Sequence, residues 1–168
     1  MQGKARLAIS SPTGRALGCL AAMALSWPLS KALDHGCEAW LRQGSAALAA
    51  GFLRMAGYDA ARTGAHLRTP LGEFEVLQAC SGGNFLAVTL ALGAGLFALG
   101  RVAPGRGVPL AVSLVPLAVA GNALRVAGLI LLGGAGDPWL HTVLGVWCFG
   151  LVAVTVCAVA GAWRGAER

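Results

Sequence analysis

Four long apolar runs, parted by short polar breaks and one long polar segment, set the layout of this 168-residue chain. They cover about residues 16–33, 80–99, 108–132 and 139–162. Each is near the roughly 20 residues an α-helix needs to cross the hydrocarbon core of a bilayer, so the pattern predicts four transmembrane helices. Segment 34–79 reads differently. Over 38–57, Leu41, Leu48, Phe52 and Met55 share one helical face, while Arg42 and Arg54 make a full crossing costly. An amphipathic helix is expected there, lying at the interface or packed against the bundle. From Tyr58 to Leu77 short alternating stretches are punctuated by Thr63-Gly64 and Pro70-Leu71-Gly72, which predicts a small β-hairpin with a third short strand at 74–77.

Composition settles the class. The chain is 57% hydrophobic and 12% charged, about half the charged fraction of an ordinary soluble domain. The expected fold is an all-α integral membrane protein, a single membrane domain over 1–168. It has about four transmembrane helices, an interfacial amphipathic helix and a small extracytoplasmic β-hairpin. A basic start followed by an apolar run also fits a secretory signal, but no convincing small-x-small cleavage site follows that run before Asp34-His35-Gly36, so a retained span is expected.

Charge then orients the spans. The formal net charge is +6, and with four spans Lys4, Arg6, Arg15, Arg101, Arg106, Arg164 and Arg168 all fall on one side. The 133–138 loop has neither Lys nor Arg. Positive charge stays cytoplasmic, which puts both termini inside and segments 34–79 and 133–138 outside. No basic patch is interleaved with aromatics, so nucleic acid is not an expected partner; the lipid bilayer is.

Candidate chemistry begins at Cys80, where a polar segment meets an apolar run. The five cysteines show no C-x-x-C spacing and their number is odd, which argues against a disulfide framework or a structural zinc site. Cys19, Cys148 and Cys157 lie within apolar runs as packing residues, and Cys37 takes no role. A thiol at the mouth of a membrane helix can act as a nucleophile. His141 lies about 6 Å below the outer end of the fourth span and Arg125 about 10 Å below that of the third, at about 1.5 Å per residue. A guanidinium can snorkel further outward. Cys80, Arg125 and His141 are therefore expected in one layer of the outer leaflet.

Their types suggest roles. A thiolate attacks a carbonyl, His holds and returns the proton that the departing amine needs, and Arg stabilises the thiolate or the oxyanion. An Arg inside a span is costly enough to mark a functional site. Asn122, three residues before Arg125 on the same helical face, is placed to orient it or the thiol. His35 and His66 read as surface residues, Ser81 lacks a distinguishable base, and Glu75 fits an exposed strand better than a partnership with Arg125. Cys80 and His141 are too few ligands for a metal, and no cofactor is expected. The competing reading is a non-enzymatic membrane assembly or transport subunit whose Arg125 pairs with a partner helix.

Ala79-Cys80-Ser81-Gly82 at the start of a span, Asn122-Ala123-Leu124-Arg125 in a later one and a His opening the last one resemble the exosortase/archaeosortase family. The likeness extends over about 14–162 and is to its compact members, such as exosortase K. It implies a multi-pass cysteine transpeptidase of the bacterial inner (cytoplasmic) membrane, with Cys80 as nucleophile and Arg125 and His141 completing an outward-facing site. Its implied substrates are secreted proteins with a C-terminal sorting signal: a short motif, a transmembrane helix and a basic cluster. Cleavage at the motif would pass the protein to a surface acceptor. Two features set this chain apart: about four spans where typical members have about eight, and Gly83-Asn84-Phe85 after the Cys-Ser-Gly, where many members have an apolar residue.

Overall fold

A computed structural model describes residues 11–77, 80–102 and 104–165. Lys4, Arg6, Gln78, Ala79 and Arg168 lie outside the described residues. Among the described residues, five α-helices and three strands follow in the order α1 (Pro12–Gly36), α2 (Glu38–Met55), β1 (Ala61–Thr63), β2 (His66–Thr69), β3 (Gly72–Glu75), α3 (Gly83–Ala98), α4 (Gly107–Leu131) and α5 (Pro138–Gly165). A 3-10 turn, Pro104–Arg106, leads into α4.

Among the described residues, two helices are long and apolar enough to cross a membrane: Gly107–Leu131 and, within α5, Pro138–Ala162, with mean hydropathies of 1.8 and 2.4. The other two expected spans are also helical. However, α1 carries Arg15, Ser26, Ser30 and Lys31 along its 25 residues. Helix α3 has only 16 residues, about 24 Å of rise. The second apolar run does not begin as helix at Cys80. Its helix starts at Gly83, because Gly82 takes a left-handed φ of 97° that an α-helix cannot hold.

Packing inverts the usual arrangement. Leu17, Leu20, Met23 and Trp27 of α1 and Val146, Trp147 and Val154 of α5 are all more than 60% exposed. Small residues instead bring the helices together: a Cβ on Gly121 of α4 would come within 2.5 Å of Val152 and 3.0 Å of Phe85. Close approach through small residues, with large apolar side chains turned outward, suits helices surrounded by lipid.

The same inversion corrects the expectation for α2. Leu41 is buried, but Leu48 and Met55 are exposed; the buried face is Leu41, Ser45, Ala46, Ala49, Ala50 and Leu53. This helix packs against α4, so of the two placements expected the bundle-packed one describes it. Ala46, Ala49, Ala50 and Leu53 share a core with Leu67 and Val76 from the sheet side and with Ala123, Val126, Ala127 and Ile130 of α4.

The expected hairpin is a three-stranded antiparallel sheet in the order β1-β2-β3. Thr63 pairs with His66 across Gly64-Ala65, and Thr69 with Gly72 across Pro70-Leu71. Tyr58, Asp59 and Ala60 precede the first strand rather than joining it. The sheet lies at the end of the bundle where α4 finishes and α3 and α5 begin. Arg101 and Arg106 lie at the opposite end.

Candidate active site

Cys80 is fixed through its backbone. Its N–H donates to the carbonyl of Leu77 at 2.8 Å, and the chain then bends through Ser81-Gly82 into α3. Gly82 is required twice over: for its positive φ, and because a Cβ there would sit 3.1 Å from Asn122 Nδ2. That close approach lets Asn122, 1% exposed on α4, reach the bend. Its Nδ2 donates to the Cys80 carbonyl at 2.9 Å and to Ser45 Oγ of α2 at 2.9 Å. A carboxamide NH2 has two protons, one for each acceptor. Ser45 Oγ in turn donates to the Ser81 carbonyl at 3.3 Å, and Gly83 N–H donates to Ser81 Oγ at 3.3 Å. Ser45 and Ser81 are buried as completely as Asn122. Two helices, α2 and α4, thus converge on two consecutive carbonyls beside the thiol.

His141 sits in the first turn of α5. Asp137 caps that helix, its Oδ1 accepting from Trp139 N–H at 2.8 Å and Leu140 N–H at 3.4 Å, with Pro138 in the first helical position, where its missing N–H costs nothing. The turn aims the imidazole at Cys80, with Nδ1 3.9 Å from Sγ. Nε2 lies 2.9 Å from the Ala135 carbonyl. A carbonyl only accepts, so this contact assigns the ring proton to Nε2 and leaves Nδ1 with a lone pair. Arg125 donates to that lone pair from Nη2 at 3.2 Å and to the His141 carbonyl from Nε at 3.2 Å. Among the described residues no carboxylate pairs with Arg125. Its charge is held by an imidazole and a carbonyl, and it is therefore available to an anion.

Cys80, Arg125 and His141 line one cavity of about 390 Å³. Beyond them its walls are β3 and the residues after it, and the Val126, Leu129 and Ile130 face of α4. The structure therefore brings together the three residues expected to meet, with Asn122 oriented toward the cysteine backbone rather than toward Arg125. The other sequence candidates stand apart. Glu75 binds Arg42 Nη2 at 2.7 Å and lies 3.7 Å from His66; His66 and His35 are exposed. Ser81 is buried with its oxygen engaged. Cys148 is buried, Cys19 partly so, and Cys37 exposed. Cys157 is exposed on α5 rather than packed inside. Among the described residues no group of three His, Cys, Asp or Glu could hold a metal.

Three contributors were not anticipated: Ser45, Arg42 and the Ala135 carbonyl. Arg42 donates from Nε to the Val76 carbonyl at 2.7 Å, tying α2 to the strand that leads to the cysteine. The recurrence of small residues at Ser45-Ala46 and Ala49-Ala50 was the available signal for the first of them.

A family model described as transmembrane exosortase matches residues 7–158. No curated protein and no solved structure matches the chain.

Proposed function

The chain belongs to the transmembrane exosortase family and is a membrane protein, and on that premise we propose that it is a cysteine peptidase–transpeptidase acting on C-terminal sorting signals of secreted proteins. The observation that carries this reading is the 3.9 Å approach of Cys80 Sγ to a His141 Nδ1 that the Nε2–Ala135 contact leaves unprotonated, as an acceptor. The thiol proton passes to Nδ1, and the thiolate adds to the scissile carbonyl carbon. Protonation of Nδ1 removes the acceptor that Arg125 Nη2 uses, which frees the guanidinium to follow the negative charge to the oxyanion. Collapse breaks the C–N bond, and the departing amine takes the proton from Nδ1. A thioester on Cys80 remains. An acceptor amine or water then attacks it, giving its proton to Nδ1, and the thiol is restored when the C–S bond breaks.

The reading takes four spans, with α1 and α3 crossing beside α4 and α5. Helices α1 and α3 pack against each other, and Arg101 and Arg106 lie at the end of the bundle away from the site. On the positive-inside rule that puts both termini in the cytoplasm of a bacterial inner membrane and the site outside. In a variant keeping Cys80 as its sole cysteine, a membrane-impermeant maleimide should label intact spheroplasts. Labelling only after lysis reverses the sidedness.

Replacing Cys80 with Ala tests the chemistry. Secreted proteins with a sorting signal should accumulate uncleaved in the membrane while the variant still inserts. Normal processing would remove the peptidase reading and leave the assembly-subunit alternative.

A further inference from the structure

The edge of the sheet nearest Cys80 is open. Among the described residues, strand β3 has a neighbouring strand on one side only, and α2 packs against β1 and β2. Five consecutive residues, Glu73 to Leu77, all line the cavity that holds Cys80. Successive side chains of a strand point to opposite faces. The cavity therefore meets residues of both orientations along the strand that leads to Cys80.

The register tells which backbone groups face that edge. Thr69 and Gly72 close a two-residue turn, so they exchange hydrogen bonds. Val76 N–H donates to the Ala65 carbonyl at 3.0 Å, in the same phase. Gly72 and Phe74 therefore turn their backbone groups toward β2, as Val76 turns its N–H, and Glu73 and Glu75 turn theirs outward. Both are exposed, and their carboxylates are already held, by Arg68 at 2.7 Å and by Arg42 at 2.7 Å. The outward N–H and C=O groups are a ready template for another strand.

We propose that the outer edge of β3 docks the substrate: an extended peptide adds to it as a fourth strand, which runs the scissile bond along the cavity to Cys80. This rests on the peptidase reading above. Main-chain bonds to Glu73 and Glu75 supply the affinity, and alternate side chains of the peptide the selectivity. One set faces Phe74, its cross-strand neighbour Leu67 and the Val126 and Ile130 wall of α4, so it is apolar. The other faces the Glu73 and Glu75 side and is polar.

Hydrogen exchange tests the edge without altering it. The probe is the uncleaved secreted protein that the Cys80→Ala variant accumulates, purified in complex with that variant in detergent. The Glu73 and Glu75 amides should exchange at least tenfold more slowly than in the variant alone. Arg62, whose amide faces the far edge of β1, should not change. A complex that leaves Glu73 and Glu75 exchanging freely overturns the docking edge while sparing the peptidase reading. If no uncleaved protein accumulates, the peptidase reading falls first and the edge with it.

A pair of prolines gives a second readout. Glu73→Pro removes an outward N–H on the near edge and Arg62→Pro one on the far edge, each tolerable at a sheet edge. Processing should drop at least tenfold in Glu73→Pro and stay within twofold in Arg62→Pro, with Cys80 alkylation by iodoacetamide matched in both. Equal processing contradicts the edge. Should Glu73→Pro fail to fold, the exchange experiment decides alone.

Discussion

The two halves of the site are supported in opposite ways. On the cysteine side the supporting side chains are buried: Asn122, Ser45 and Ser81 are 1% exposed or less, and the bonds of Asn122 and Ser45 converge on the backbone next to Cys80. On the histidine side the supports are carbonyl groups, those of Ala135 and His141 itself, at the rim of a helix start. Buried, fully partnered polar networks fix geometry. Contacts to a loop carbonyl and between a guanidinium and an imidazole can be exchanged as charge moves. The nucleophile's backbone is anchored, and the groups that must follow the proton and the oxyanion are left room to do so.

Substitutions separate these two kinds of support. The largest effect is expected from His141→Ala, which removes the proton acceptor. Processing should fall by about 10²–10⁴-fold with little loss of folded protein. Arg125→Lys comes next. A lysine keeps the charge but cannot span both Nδ1 and the His141 carbonyl, so a loss of about 10–100-fold is expected in cleavage assays, without release from the membrane. On the anchored side the order of effects reverses, stability before rate. Asn122→Ala leaves Cys80's carbonyl and Ser45 Oγ short of a donor, at a cost of about 1–3 kcal/mol, which thermal unfolding in detergent should register. Ser45→Ala removes one neutral bond and should cost about 1 kcal/mol in the same assay. If Asn122→Ala matches His141→Ala in lost processing at unchanged stability, the contrast between anchor and proton carrier fails.

Much of this arrangement was legible in the sequence. Helix rise, the charge-based orientation and the reach of a guanidinium together led to one layer for Cys80, Arg125 and His141, and the three line one cavity because α4 ends and α5 begins within a few residues of where the apolar runs do. Gly and Pro placed the turns of the sheet. The face of α2 was misjudged, since periodicity of large apolar residues marks the buried side only when the surroundings are water. Here Leu48 and Met55 face outward and the Ser45-Ala46 and Ala49-Ala50 pairs face α4. Ser45 could not be found without that correction, and Asn122 consequently had no visible second partner. The Ala135 carbonyl is backbone, and a sequence does not show where a loop carbonyl points. The late start of α3 turned on the φ of one residue, Gly82.

A sulfur that attacks a substrate carbonyl must carry the acyl group for a time. The most direct measurement is to incubate the purified protein with a full-length secreted protein bearing its sorting signal, quench in acid and digest. Mass spectrometry should find the cleaved chain's new C-terminus joined to Cys80 through a bond that neutral hydroxylamine removes. Cleavage that proceeds with Cys80 unmodified, or with the acyl group on another residue, would contradict the role assigned to this thiol.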